Sequence, residues 1–191
     1  MKRMHLLLAL CAGLILGGCA NSGTGPVPPK TVEKGDLKRY QGKWFELARL
    51  PMYFQRDCAQ SEAHYNLKPD GTLGVLNRCL TREGEWQEVS GNATPQVPGK
   101  TDKLWVEFDS WFSKVVPGGV KGDYWVLYIG DGYQTALVGN PDRKYLWILS
   151  RKPTIPALER ESLLAKARQQ GYDTTRLIWR VADKDMVAQK P

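Results

Sequence analysis

A chain of 191 residues with 42% hydrophobic content can bury the core of one domain and still carry accessory segments. The formal net charge of +7 is spread along the chain with no basic stripe interleaved with aromatics, so nucleic acid is not expected as a partner. Two His in the whole chain, with no phosphate loop and no Gly-x-Gly-x-x-Gly, leave little for metal, triad or nucleotide chemistry, and neither cofactor nor metal is expected.

The first residues read as a secretory signal. Lys2 and Arg3 precede an apolar run from Leu6 to Leu16, about eleven residues and too short to span a bilayer as a helix. The run ends in Leu16-Gly17-Gly18-Cys19, which resembles the lipobox of bacterial lipoproteins. That resemblance implies cleavage after residue 18 and acylation of Cys19, and Ala20 after it favours the outer membrane in enterobacterial sorting. Loss of Lys2 and Arg3 leaves 25 basic against 20 acidic side chains, a charge of +5. Each buried methylene contributes about 0.8 kcal/mol, so two or three acyl chains hold durably where one holds marginally. Residues 19–35, rich in Gly, Pro and polar side chains without apolar periodicity, read as a flexible tether, with a folded domain over 36–183 and a tail over 184–191.

Cys11 leaves with the signal and Cys19 carries lipid, so Cys58 and Cys79 remain as an even pair in an oxidising compartment. The turn signal Lys68-Pro69-Asp70-Gly71 lies between them. If it closes a hairpin, paired numbers sum to about 139 and Cys58 faces roughly position 81, close to Cys79 after a small bulge. A structural disulfide is expected, with a reactive thiol pair as the alternative.

From Trp44 onward strands and turns alternate every ten to fifteen residues or so. Trp44 to Leu50 is the first strand. Ala63, Tyr65 and Leu67 alternate with His64 and Asn66, Leu73, Val75 and Asn77 follow the turn, and Trp86 to Ala93 follows Glu83-Gly84. Leu104, Val106 and Phe108 mark the fifth strand, Tyr124 to Ile129 the sixth, Thr135 to Val138 the seventh and Tyr145 to Ser150 the eighth. Eight such strands in series predict an all-β fold, an eight-stranded up-and-down antiparallel barrel with room for one ligand. The period then changes. Thr154 is the expected cap of one C-terminal helix whose buried stripe is Leu158, Leu163, Leu164 and Ala167, ended by Gly171, and Leu177-Ile178-Trp179 is a short ninth strand.

Three blocks resemble the lipocalin family, in particular bacterial lipocalins that are outer-membrane lipoproteins, over roughly residues 36–180. Gly42-Lys43-Trp44-Phe45-Glu46-Leu47-Ala48-Arg49 resembles the Gly-x-Trp signature of the first strand. Gly130-Asp131-Gly132-Tyr133 stands where the family carries a Thr-Asp-Tyr turn, with Gly130 in place of the Thr and Gly132 inserted before the Tyr. Tyr145 to Arg151 resembles the last strand, whose terminal Arg packs across the first-strand Trp. Gly42, Trp44 and Arg151 therefore carry a structural expectation: a guanidinium on an indole that closes the barrel base.

The resemblance implies a calyx for an apolar ligand, a fatty acid or lysophospholipid, in a protein anchored in the outer membrane at its periplasmic face and serving envelope lipid transport, maintenance or repair. Strand parity predicts lining from Ala48, Tyr65, Val75, Val106, Phe108, Val126, Tyr128, Ala136 and Trp147. The loop Pro51 to Arg56 puts Tyr53 and Phe54 at the open end, as a lid, as a partner surface or tucked into the mouth. Arg56 and Lys114 are candidate rim cations for a phosphate headgroup. Trp111 and Phe112, beside Pro117-Gly118-Gly119, offer a second rim surface for the membrane or for a homodimer contact. Two further readings stand beside the carrier: a protein-interaction lipoprotein using the aromatic loops, and a thiol-dependent enzyme with Cys58 or Cys79 as nucleophile. The second of these is disabled by a disulfide, and an enzyme is not expected.

Overall fold

The computed structural model describes residues 27–109 and 121–187. The signal, Cys19, and the loop with Trp111, Phe112 and Lys114 lie outside the described residues. A one-turn helix, α1 (Leu37–Tyr40), precedes the barrel, capped by Asp36, whose carboxylate accepts from the Lys38 and Arg39 amides. The strands are β1 (Gly42–Arg49), β2 (Cys58–Leu67), β3 (Leu73–Thr81), β4 (Trp86–Pro95), β5 (Lys103–Phe108), β6 (Gly122–Ile129), β7 (Thr135–Gly139) and β8 (Leu146–Ser150). They are followed by α2 (Ala157–Gln169), the two-residue β9 (Ile178–Trp179) and α3 (Asp183–Val187). Each barrel strand pairs antiparallel with the next, and β1 pairs with both β8 and β2, which closes the sheet. β9 adds outside this ring, on the far half of β1.

Closure makes two apolar layers. One fills the barrel around Trp44, Tyr65, Leu73, Val75, Leu104 and Val138. The other lies between the outer wall and α2, where Leu163, Leu164 and Ala167 meet Leu47, Leu137 and Ile148. At its C-terminus α2 stops on Gly171, whose φ of +86° suits a residue without Cβ; the Tyr172 amide reaches back to the Ala167 carbonyl and the Gly171 amide to that of Arg168.

Strand order and register follow the sequence reading, with three local departures. β1 carries a bulge between Glu46 and Ala48, and β6 one between Val126 and Tyr128. Each inserts one residue and so reverses the side-chain parity beyond it. Ala48 and Tyr128, expected inside, therefore face α2 in the outer layer. The helix begins at Ala157 with Pro156, not Thr154, at the cap position. Leu158, expected in the buried stripe, is 84% exposed, because at 3.6 residues per turn it stands about 180° around the helix from Ala167.

The largest departure concerns the tether. Residues 27–35 do not hang free: they lie down the outside of the barrel. The Val32 amide donates to the Val126 carbonyl at 2.9 Å, Thr31 Oγ1 donates to Asp102 at 2.6 Å, and the Gly35 amide donates to Thr101 Oγ1 at 3.0 Å. Low-complexity composition reads as linker because it lacks a hydrophobic period; a strap held by polar exchange needs none.

Candidate functional site

The floor of the barrel is built from residues far apart in sequence. Gly42 turns the chain into β1 with φ of +88°, and Trp44 behind it is fully buried. The Trp44 Nε1–H donates to the Tyr40 carbonyl at 2.8 Å, so α1 plugs the end. The Arg151 guanidinium covers the indole and donates to the carbonyls of Lys43, Arg39 and Tyr133 at 2.7, 2.8 and 3.3 Å. Tyr133, in the left-handed region with φ of +60°, accepts from the Asp36 amide through its hydroxyl at 2.7 Å. The degenerate Gly130–Tyr133 block thus still meets α1 and Arg151 at the base.

Above the floor three phenols meet. Tyr124 Oη lies 2.8 Å from Tyr40 Oη and 2.9 Å from Tyr65 Oη. Burial pushes the Tyr65 hydroxyl up to about 12 and raises Tyr40 and Tyr124 well above the ordinary phenol range. Three hydroxyl protons serve two mutual bonds, so one of the three is left over as a donor.

A cavity of about 310 Å³ opens over this cluster. Its inward-facing wall includes Ala63, Tyr65, Val75, Val89, Val106, Phe108, Tyr124, Trp147 and Leu149, with Asn77 and Gln87 higher up. At the mouth Phe54, from the β1–β2 connection, stands edge-on to Tyr145 at 5.7 Å, and Tyr145 packs against Trp147 at 5.9 Å. The Cys58–Cys79 disulfide joins β2 to β3 at the same end, with Cα atoms 5.4 Å apart. A bulge between Cys58 and Gln60 sets Cys58 opposite Thr81 and Cys79 opposite Ser61. Both sulfurs are thereby taken out of nucleophilic chemistry.

One buried polar network interrupts the apolar wall. Glu46 Oε1 accepts from Arg49 at 2.9 Å and Oε2 from Gln55 Nε2 at 2.8 Å. Arg49 also donates to the carbonyls of Gln55 and Cys58, and Gln55 Oε1 accepts from the Trp147 indole at 3.0 Å. Burial raises the Glu46 carboxyl against the opposing pull of Arg49 and the hydrogen bond from Gln55. The network fixes the β1–β2 connection across the mouth and leaves the Glu46 carboxylate on the cavity surface.

Of the residues expected to line the calyx, Phe54, Tyr65, Val75, Val106, Phe108 and Trp147 surround this cavity. Val126 and Ala136 are buried without reaching it, and Ala136 packs in the layer that contains Trp44. Tyr53 is 64% exposed and lies under Arg56, which pairs outward with Asp57 and not over the mouth. Trp111 lies outside the described residues, as does Cys19. Glu46, Gln55 and Tyr124 were missed as site residues. Glu46 shares the phase of Trp44 two positions away, and Tyr124 that of Val126, so parity alone could have placed both inside. Among the described residues no three His, Cys, Asp or Glu side chains gather as a metal site.

A family model described as a Lipocalin-like domain matches residues 35–182. The outer membrane lipoprotein Blc of Citrobacter freundii is 35% identical over 183 residues, covering 94% of this chain and 97% of that protein. The protein of the same name in Vibrio cholerae is 37% identical over 177 residues, covering 91% and 96%. Temperature-induced lipocalin-1 of Arabidopsis thaliana is 41% identical over 150 residues, covering 76% of this chain and 79% of its own. Among solved structures, insecticyanin of the tobacco hornworm Manduca sexta superposes with a TM-score of 0.66 at 21% identity over 85% of this chain and 87% of that one, a likeness in fold. The matched span takes in every strand of the barrel together with α2 and β9, so the likeness is to the whole architecture, and the chain belongs to the lipocalin family.

Proposed function

We propose that this protein is a lipid carrier, held at the outer membrane through acylated Cys19, whose calyx takes a fatty acid or a lysophospholipid. The observation that carries this reading is the cavity of about 310 Å³, walled by Val75, Val89, Val106, Phe108 and Leu149 and opening beside Glu46. That volume sits at the lower end of small-molecule sites and favours one acyl chain over the two of a diacyl lipid. Ten buried methylenes contribute about 8 kcal/mol at about 0.8 kcal/mol each, and it is this burial that works against the association cost of about 4 kcal/mol or more. The relatives named outer membrane lipoproteins support the location. The leader and Cys19 of this chain support the anchor.

Native mass spectrometry against a panel of fatty acids and lysophospholipids tests it. One acyl ligand per chain is the expected result. No uptake across the panel overturns the carrier and leaves the exposed Tyr53, with its neighbouring loop, as the case for a protein-binding role.

A further inference from the structure

The strap formed by residues 27–35 has a direction. It leaves the closed end, where the Asp36 amide bonds to Tyr133 Oη and Gly35 exchanges two bonds with Thr101. It passes the C-terminal end of α2, where the Lys30 amide and carbonyl both bond the Gln170 side chain at 2.9 and 3.1 Å. It finishes where the Val27 carbonyl accepts from Arg143 at 2.6 Å. Arg143 sits in the β7–β8 turn, whose Asn140 and Tyr145 line the calyx mouth. The strap therefore climbs the barrel wall from floor to rim as it is followed back toward Cys19.

Val27 stands eight positions from Cys19, a reach of at most about 29 Å fully extended. Were all 17 steps of chain from Cys19 to Asp36 free, the span would be up to about 60 Å from the closed end, and the barrel could take any attitude. We infer that the strap suspends the barrel mouth-first, with its rim toward the leaflet that holds acylated Cys19, so that a lipid passes between bilayer and calyx directly. The inference rests on the lipid anchor proposed above.

The rim suits that leaflet. Val27, Tyr53 and Trp86 are exposed at this end, the two aromatics each under a cation, Arg56 at 4.2 Å and Arg78 at 4.4 Å. Rings paired with cations fit the boundary between headgroups and acyl chains. Exposure alone does not choose the end, since Val97 and Leu158 are exposed at the base. Charge does not choose it either: Arg56, Lys121 and Lys144 are each paired with an acid. The path of the strap does.

The test uses the full chain, made with its leader and reconstituted in vesicles of phosphatidylethanolamine and phosphatidylglycerol containing a spin-labelled headgroup lipid. With Cys58 and Cys79 bridged and Cys19 acylated, a fluorophore on W86C reports the mouth and one on K100C the base. Several-fold stronger quenching at the mouth is expected. The difference should shrink in a strap-release variant carrying Arg143→Ala and Gln170→Ala. An acylated N-terminal peptide with equal quenching, or stronger quenching at the base, overturns the orientation and spares the anchor. A bias that persists after strap release removes the strap from the explanation. An N-terminal peptide lacking the lipid mass overturns both.

Discussion

The Arg151 guanidinium lies 3.8 Å from the centroid of the Trp44 indole, and the two residues belong to opposite ends of the barrel sequence, the start of β1 and the exit from β8. Stacking of this kind contributes about 0.5–2 kcal/mol, and three carbonyls depend on the same cation. Arg151→Ala should lower the unfolding free energy by about 2–4 kcal/mol, given that bonds from charged donors run to about 1.5–3 kcal/mol each when buried and less at this partly exposed site. Arg151→Lys should recover only part, because an ammonium cannot spread over the ring and reach three carbonyls together. Urea unfolding at constant slope checks this; an unchanged midpoint for Arg151→Ala removes the floor from the stability argument.

The Glu46–Arg49 pair should respond unequally to its two deletions. Arg49→Leu leaves a buried carboxylate without its cation and strands the carbonyls of Gln55 and Cys58, at a cost of about 3–5 kcal/mol. Glu46→Gln keeps an acceptor for Arg49, and burial already disfavours the charged carboxyl, so its cost should stay below about 2 kcal/mol. Chemical denaturation of both variants measures the asymmetry, and equal losses contradict it.

Alkaline pH should weaken the protein through the phenol cluster. For a hydroxyl whose folded pKa is raised above 10.0 the stabilising contribution is complete below that value and is lost as pH climbs through the folded pKa. For Tyr65 the window runs from 10.0 to about 12, and Tyr40 and Tyr124 shift the same way. Tyrosinate absorbance followed against pH should show these three ionising only with unfolding. In Tyr124→Phe, Tyr40 and Tyr65 lose their shared partner, which costs about 1–3 kcal/mol.

Filling the calyx should abolish uptake without unfolding the chain. Val89, on the cavity wall and only partly buried, is the place to do it. Val89→Trp should cut lysolipid or fatty acid retention severely in native mass spectra, while Val97→Trp, at the exposed base, should leave it intact. Full retention by the Val89 variant argues that lipid binds elsewhere.

Loss of the disulfide should destabilise by about 3 kcal/mol, the loop-closure contribution for a bridge between residues 21 apart. Thermal unfolding of the Cys58→Ala/Cys79→Ala double variant gives the comparison.

What was legible in the sequence was whatever repeats with a fixed period. Alternation at Tyr65, Val75 and Val106 placed those side chains inside, and the Lys68-Pro69-Asp70-Gly71 turn fixed a register that brought Cys58 to Cys79. Alternation fails at a bulge, because one inserted residue reverses everything downstream; Ala48 and Tyr128 both lie just past one. The strap was illegible for another reason. Its hold on the barrel is made of backbone amides and of partners such as Asp102, Gln170 and Arg143, 71 to 140 positions away, and none of these leaves a pattern in residues 27–35. Arg49 was hidden for the same reason as Ala48: three positions from Glu46 it reads as the outer phase until the bulge between Glu46 and Ala48 turns it inward, whereas Glu46 already shares the phase of Trp44.

The disulfide stands at the open end of the barrel, beside the cavity. The base is shut by Trp44 and Arg151, where tight apolar packing supplies cohesion, whereas at the rim the cavity takes up part of that space and the Glu46–Arg49–Gln55 network carries the rest. A covalent staple supplies there what side-chain contact supplies below, and it does so whether or not a guest is present. The bracing of the rim therefore does not depend on what occupies the calyx.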